Sequence, residues 1–319
     1  MMTSSDSHDQ PVRWLDAHQT LAMSLPPPAP NQAYCDVSAL ESGLVQLPTA
    51  AFIDDGEPGD VPIGPSLSFL LCNTKNNKTV VFDLGIRKDW ENYPPAVVQR
   101  IHDFFGVDVP QDVSESLIKG GMESSDVDYV CLSHVHFDHV GDTRPFNKAT
   151  FLVGGPSKGL LTPGYPADPN AYFASDLLPI DRTRFLDTYG PDWKPLGPFP
   201  RALDFYGDGS LYITDAAGHL PGHINIVART SADGGWILLG GDSAHNWRLI
   251  TGESKISTCS HAHAGGCAHF DKEASEENLA RMRAFMNLPK TRIILGHDIP
   301  WYEKNKDGPA FWPGKIPSF

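Results

Sequence analysis

"VDYVCLSHVHFDHVGD", residues 127–142, begins as a mostly apolar run and then places three histidines and two aspartates in ten positions. A short apolar run of this kind reads as a buried strand. Titratable side chains at its end need something that neutralises and holds them. On an extended segment His134 and His136 point the same way and can share one cation. Asp138 and His139, around a turn, can face a second. Neither pair completes a tetrahedral shell, so other segments must contribute.

The same arrangement recurs along the chain. "VVFD" stops at Asp83, "ILLGGD" at Asp242 and "IILGH" at His297, while His223 opens a strand after "AGHLPG". Layered α/β folds gather ligand sites at strand ends, where a rigid sheet presents the side chains. His223, Asp242 and His297 are therefore candidates to complete the two pairs, and a carboxylate can bridge two cations.

Around these points the chain reads as strands and helices in alternation. Strands are predicted over 43–53, 66–72 and 78–85, the last two as a hairpin about "NTKNN", and then over 149–155 and 291–298. Residues 202–216 and 223–242 read as hairpins turned at Gly-Asp-Gly and Asp-Gly-Gly. Helical spacing predicts helices over 95–105, 114–122 and 275–287, the last burying Leu279, Met282, Phe285 and Met286. Residues 156–200, rich in Pro, Gly and Asp, read as a long loop with at most one short helix. "LPPPAP" at 25–30 favours extended geometry, so 1–36 is expected to be an N-terminal arm and 37–319 a single domain. Strand hairpins interleaved with helices argue for an α/β or α+β class with mixed sheets covered by helices.

Composition narrows the partners. The 319 residues are 40% hydrophobic and carry a formal charge of −14, which argues against nucleic acid or an anionic membrane. No apolar stretch approaches the ~20 residues of a membrane span. The polar, acidic start is unlike a secretory signal, and five cysteines form no disulfide-framework spacing. A cytoplasmic protein is expected.

"HVHFDH" resembles the His-x-His-x-Asp-His signature of the metallo-β-lactamase superfamily. The likeness continues, in the family's order, through Asp83 in "FDLG", His223 in "GHLPGH", Asp242 in "GGD" and His297 in "LGHD". It implies a four-layer αβ/βα sandwich, two mixed β-sheets flanked by helices, with two metal ions, usually zinc, in the cleft; other divalent transition metals also suit such ligands. By this resemblance His134, His136 and His223 hold the first ion, Asp138, His139 and His297 the second, and Asp242 bridges, while Asp83 braces the site. Within the superfamily the chain is most similar to N-acyl-homoserine lactone lactonases, which carry a tyrosine three positions after the bridging aspartate. Here that position is His245.

The implied activity is hydrolysis of a small lactone by water activated between two zinc ions. Asp138 and His245 are the expected catalytic residues, Asp138 relaying a proton and His245 donating to the carbonyl oxygen. A cyclic amide or carbamate of the benzoxazolinone type is the competing substrate class. A thioesterase wants a basic patch that is missing, and a non-catalytic metal-binding protein is the alternative from another class. A homodimer is compatible with the sequence. "CSHAHAGGCAHF" (259–270) offers Cys259, His261, His263, Cys267 and His269, and reads as a pocket-wall loop with His263 or His269 near substrate. His219 is expected to orient a ligand from behind or to be structural.

Overall fold

The computed structural model describes residues 24–258 and 267–319. Most of the expected arm and residues 259–266 of the histidine-rich loop, with Cys259, His261 and His263, lie outside the described residues.

Two six-stranded sheets form the centre. The first runs, in spatial order, Cys35–Leu40, Ser68–Asn73, Thr79–Phe82, Tyr129–Cys131, Thr150–Gly154 and Thr183–Leu186. The second runs Trp193–Leu196, Phe199–Asp204, Leu211–Asp215, Ile224–Arg229, Trp236–Leu239 and Thr291–Ile294. Both are mixed: Thr79–Phe82 lies parallel to Tyr129–Cys131, and Trp236–Leu239 parallel to Thr291–Ile294, with antiparallel pairs on their flanks. A three-stranded sheet of Ile63–Pro65, Leu44–Gln46 and Val107–Asp108 sits beside them.

The alternation of side chains along each strand sorts the core into layers. Phe69, Leu71, Val80, Phe82 and Cys131 face Ile213, Ile226, Ile237, Leu239 and Ile294 between the sheets. From the opposite face of the first sheet, Leu70, Val81 and Val130 pack on Val97, Ile101, Val113 and Leu117 of helices Pro95–Asp103 and Val113–Lys119. Behind the second sheet, Val227, Trp236 and Leu238 pack on Leu249, Leu279, Met282 and Phe285 of helices Trp247–Thr251 and Lys272–Met286. The order is helix, sheet, sheet, helix. Central strands buried on both faces read as continuous apolar runs, which is why they were legible.

The departures have local causes. The predicted strand over 43–53 is two elements, because Pro48 lacks an amide hydrogen and the chain turns into the short helix Thr49–Phe52. The predicted loop over 156–200 contains two strands, Thr183–Leu186 and Trp193–Leu196, and 3-10 turns at Gly155–Leu161 and Ile180–Arg182. Both strands are sheet edges, only partly buried, so they carry little apolar pattern. Cys35–Leu40, antiparallel to Ser68–Asn73, is a strand that begins inside the stretch assigned to the arm. The long helix starts at Lys272 because the Asp271 side chain caps it, accepting from the Ala274 amide. Met286, in its last turn, is exposed rather than buried. The buried stripe takes Ser275 and Asn278 instead, which bond His269 and Ser243.

Candidate active site

All the strand ends singled out in the sequence open at one edge of the sandwich. Asp83 directly follows Thr79–Phe82, and His134 follows Tyr129–Cys131 by three residues. Asp242 and His297 stand three residues beyond Trp236–Leu239 and Thr291–Ile294. His223 directly precedes Ile224–Arg229, a strand antiparallel to its neighbours, so its start lies at the same edge. The turn Phe137–Val140, after extended His136, swings Asp138 and His139 under the first two histidines.

Two groups of side chains converge around one carboxylate. In the first, His134 Nε2 and His219 Nε2 lie 2.9 and 3.0 Å from His136 Nδ1. Both face Asp242 Oδ2, at 3.7 and 3.4 Å. In the second, His139 Nε2 and His297 Nε2 lie 3.1 and 3.3 Å from Asp242 Oδ1, and His297 Nε2 is 3.4 Å from Asp138 Oδ2. Each oxygen of Asp242 thus belongs to a different group. His219 completes the first group, where the sequence reading had His223. The His223 ring is turned away, its Nε2 accepting the Asp242 backbone N–H at 3.1 Å.

The opposite nitrogens of the rings are tied down. His139 Nδ1 donates to Asp83 Oδ2 at 2.9 Å, and His297 Nδ1 to the Pro65 carbonyl at 2.8 Å. His134 Nδ1 donates to Ser133 Oγ at 3.0 Å; that hydroxyl donates in turn to Asp83, 2.7 Å away. Asp83 also accepts the Ser133 N–H at 2.6 Å, so one buried carboxylate orients two of the rings. Such outer partners leave each Nε2 as a lone-pair donor into the cleft.

Electrostatics separate the two groups. Burial, reinforced by neighbouring histidines, holds His134 well below the usual imidazole range. Burial does the same to His219 against the pull of Asp242, and pushes His223 down to about 3. Burial also works against charge on His139 and His297, but nearby carboxylates outweigh it. Asp242 and Asp83 raise His139 well above its usual range, and Asp242 and Asp138 raise His297 to about 10. Asp242 is itself held well below the carboxylate range, because His139, His297 and His245 outweigh its burial. The second group is a place where positive charge is favoured.

The residues present fit divalent metal ions. Asp242 Oδ1 and His139 Nε2 are buried and make no hydrogen bond, although they face each other. Ligand separations of 2.9–3.7 Å match the edge of a tetrahedron with metal–ligand bonds of ~2.0–2.1 Å, roughly 3.3 Å. Imidazole nitrogen with carboxylate oxygen is the donor chemistry of zinc and its neighbours.

The expected catalytic residues both line the cleft. Asp138 is buried, and its carboxylate is held low by His297 and His139 against the effect of burial. The His245 ring stacks on Phe52, with centroids 4.2 Å apart, and its Nε2 lies 3.1 Å from Asp242 Oδ2. His269 packs behind, 5.2 Å from the His219 ring and 5.3 Å from that of His245, with Nδ1 on Ser275 Oγ. His219, His245 and His269 form a further buried group of convergent nitrogens. From the metal-ligand edge a cavity of about 290 Å³ opens between apolar walls that include Tyr93, Val97, Phe105, Phe137 and Phe173. Sequence reasoning missed most of these walls, since helical spacing marks Val97 as core without saying that it borders a cavity. Trp301 and Tyr302 pack against the core between the sheets.

A family model described as the metallo-beta-lactamase superfamily matches residues 61–297. The chain is 34% identical over 238 residues to a gamma-lactamase of Fusarium pseudograminearum, an alignment covering 70% of this chain and 57% of that protein. It is 35% identical over 236 residues to a cytochrome P450 monooxygenase of Penicillium brevicompactum, covering 70% of this chain and 27% of that one. The chain thus matches well under two thirds of the length of these curated relatives. Among solved structures it shares its fold with an N-acyl homoserine lactone hydrolase that has N-hexanoyl-L-homoserine bound at its catalytic metal center. The TM-score is 0.64, over 88% of this chain and 98% of that one, at 18% identity.

Proposed function

The chain belongs to the metallo-β-lactamase superfamily, and from that premise we propose that it is a dizinc hydrolase opening a neutral lactone ring. The observation that carries this reading is the pair of ligand groups sharing Asp242 at the floor of an apolar cavity. His134, His136 and His219 would hold one ion, Asp138, His139 and His297 the other, with Asp242 between them. Bound there, divalent cations would supply water of lowered pKa and polarise a carbonyl oxygen.

The chain's own residues account for the rest. Apolar walls exclude bulk water and accept an uncharged ring without the repulsion that a phosphate would meet in so acidic a chain. Asp138, buried at the cavity floor, accepts a proton as water adds to the carbonyl and returns it to the departing ring oxygen. His245, held flat against Phe52, donates a hydrogen bond to the carbonyl oxygen as charge gathers on it. Asp83 and Ser133 keep the rings of His134 and His139 in place throughout.

A γ-lactam or cyclic carbamate is the second reading. It is favoured by the likeness to a gamma-lactamase and by the imidazole at position 245. Expelling nitrogen requires a proton donor, and an imidazole can transfer a proton as well as donate a hydrogen bond. The test is initial rate of the metal-loaded protein on a γ-lactone, the matched γ-lactam, a cyclic carbamate, a thioester and a phosphodiester. The lactone should be fastest. A faster lactam or carbamate decides for the second reading, and no turnover of any ring refutes both.

A further inference from the structure

Arg100 is the only lysine or arginine lining the cavity among the described residues. It sits on helix Pro95–Asp103, half-buried, with Val97 one turn earlier on the same wall. Its guanidinium lies over the rings of Phe105 and Phe104, 5.4 and 5.8 Å from their centroids, which fixes where the charge stands. Tyr172 is its polar neighbour, and no carboxylate of a described residue lies within ion-pair distance.

Comparable arginines are used by the fold. Arg87 and Arg144 sit on Asp89, while Arg182 and Arg283 donate to main-chain carbonyls. Among the described residues Arg100 makes neither an ion pair nor a hydrogen bond to a main-chain carbonyl. Removing a guanidinium partly from water without a direct ion pair is unfavourable, and burial pulls its pKa down against the opposing effects of Tyr172 and Asp138. A cation kept under that penalty in the wall of a binding cavity is positioned for a ligand.

We infer that Arg100 is a specificity-determining residue that receives a carboxylate carried by the substrate, remote from the ring that is opened. This rests on the ring-opening reading and narrows its substrate class to a molecule with three parts: a neutral cyclic carbonyl, an apolar body and an anionic end. A single planar guanidinium matches the two oxygens of one carboxylate. A phosphate site would draw on more donors, and among the described residues no second lysine or arginine lines this cavity.

The test uses two lactones identical except that one ends in a carboxylate and the other in its methyl ester. They are compared on the metal-loaded wild type, Arg100→Gln and Arg100→Lys. The wild type should prefer the acid by about 10- to 100-fold in kcat/KM, the scale of one hydrogen-bonded charge pair. The preference should lie in KM, since the contact is the same in ground and transition states. Arg100→Gln should abolish it, bringing the ratio of acid to ester kcat/KM to about one, and Arg100→Lys should keep part. Unchanged preference in Arg100→Gln, or none in the wild type, overturns the proposal. If neither lactone is hydrolysed, the lactone reading fails, and equilibrium binding of the same pair still decides about Arg100. Tighter binding of the acid, lost in Arg100→Gln, supports the role; equal affinities refute it.

Discussion

Of the two histidines in "GHLPGH", replacing each by alanine should give opposite phenotypes. His219 Nε2 stands among the ligand atoms, 3.0 Å from His136 Nδ1 and 3.4 Å from Asp242 Oδ2. His223 Nε2 accepts the Asp242 N–H and faces no other member of the first group at hydrogen-bond distance. Loss of an outer partner of a metal ligand costs about 10–100-fold in metal affinity, or roughly 1.4–2.7 kcal/mol. Loss of a direct ligand must exceed that. His219→Ala should therefore weaken the first metal position by more than about 100-fold, with the fold intact, because the ring is held by no strand pairing. His223→Ala leaves a buried amide without its acceptor, which costs about 1–3 kcal/mol of stability before the cavity is counted. It should lower the Tm of the metal-free protein while the metal count stays the same. Competition against a chromophoric chelator, with elemental analysis and calorimetric melting, separates the two outcomes. If His223→Ala empties a metal position and His219→Ala keeps both, the assignment is wrong.

Three further substitutions probe other parts of the site. Asp83→Asn removes one of two oxygens that accept from Ser133 and His139, so the second metal position should weaken about 10–100-fold; an unchanged chelator titration would show that His139 does not depend on this brace. His245→Ala should lower kcat about 10²–10³-fold at unchanged metal content, the scale of one oxyanion donor, and wild-type kcat in the folded variant would remove His245 from the reaction. Gly296→Ala would place a methyl 2.9 Å from His139 Cε1 and 3.1 Å from Asp242 Oδ1. Overpacking of this kind costs ~1–3 kcal/mol and should reduce occupancy of the second position; full occupancy with wild-type Tm would mean that the neighbours yield freely.

Much of the architecture was legible because central strands buried on both faces are continuous apolar runs, and Thr79–Phe82, Tyr129–Cys131 and Trp236–Leu239 are of that kind. Where burial is partial the pattern fades, as in Thr183–Leu186 and Trp193–Leu196, and the reading failed there. Local chemistry also overrode pattern at Pro48 and at the Asp271 cap.

For the site, the sequence determined which strand ends carry imidazoles and carboxylates, since those residues stop apolar runs and only a shared edge can hold them. It could not decide between His219 and His223, which are the same residue type in one short turn. That choice was made by contacts from afar. Gly218 packs against Ser275 of the long helix, and Gly222 against Gly154, which ends a strand of the first sheet, and Ser157 just after it, both with positive φ and no room for a side chain. These contacts set the backbone so that His219 points into the cleft while His223 begins a strand. The same holds for Arg100, whose helical position is evident from spacing but whose lack of an ion pair among the described residues depends on what the assembled fold brings near it. A side chain's type is written locally; its direction and its neighbours are set by backbone dihedrals and packing between segments far apart in the chain.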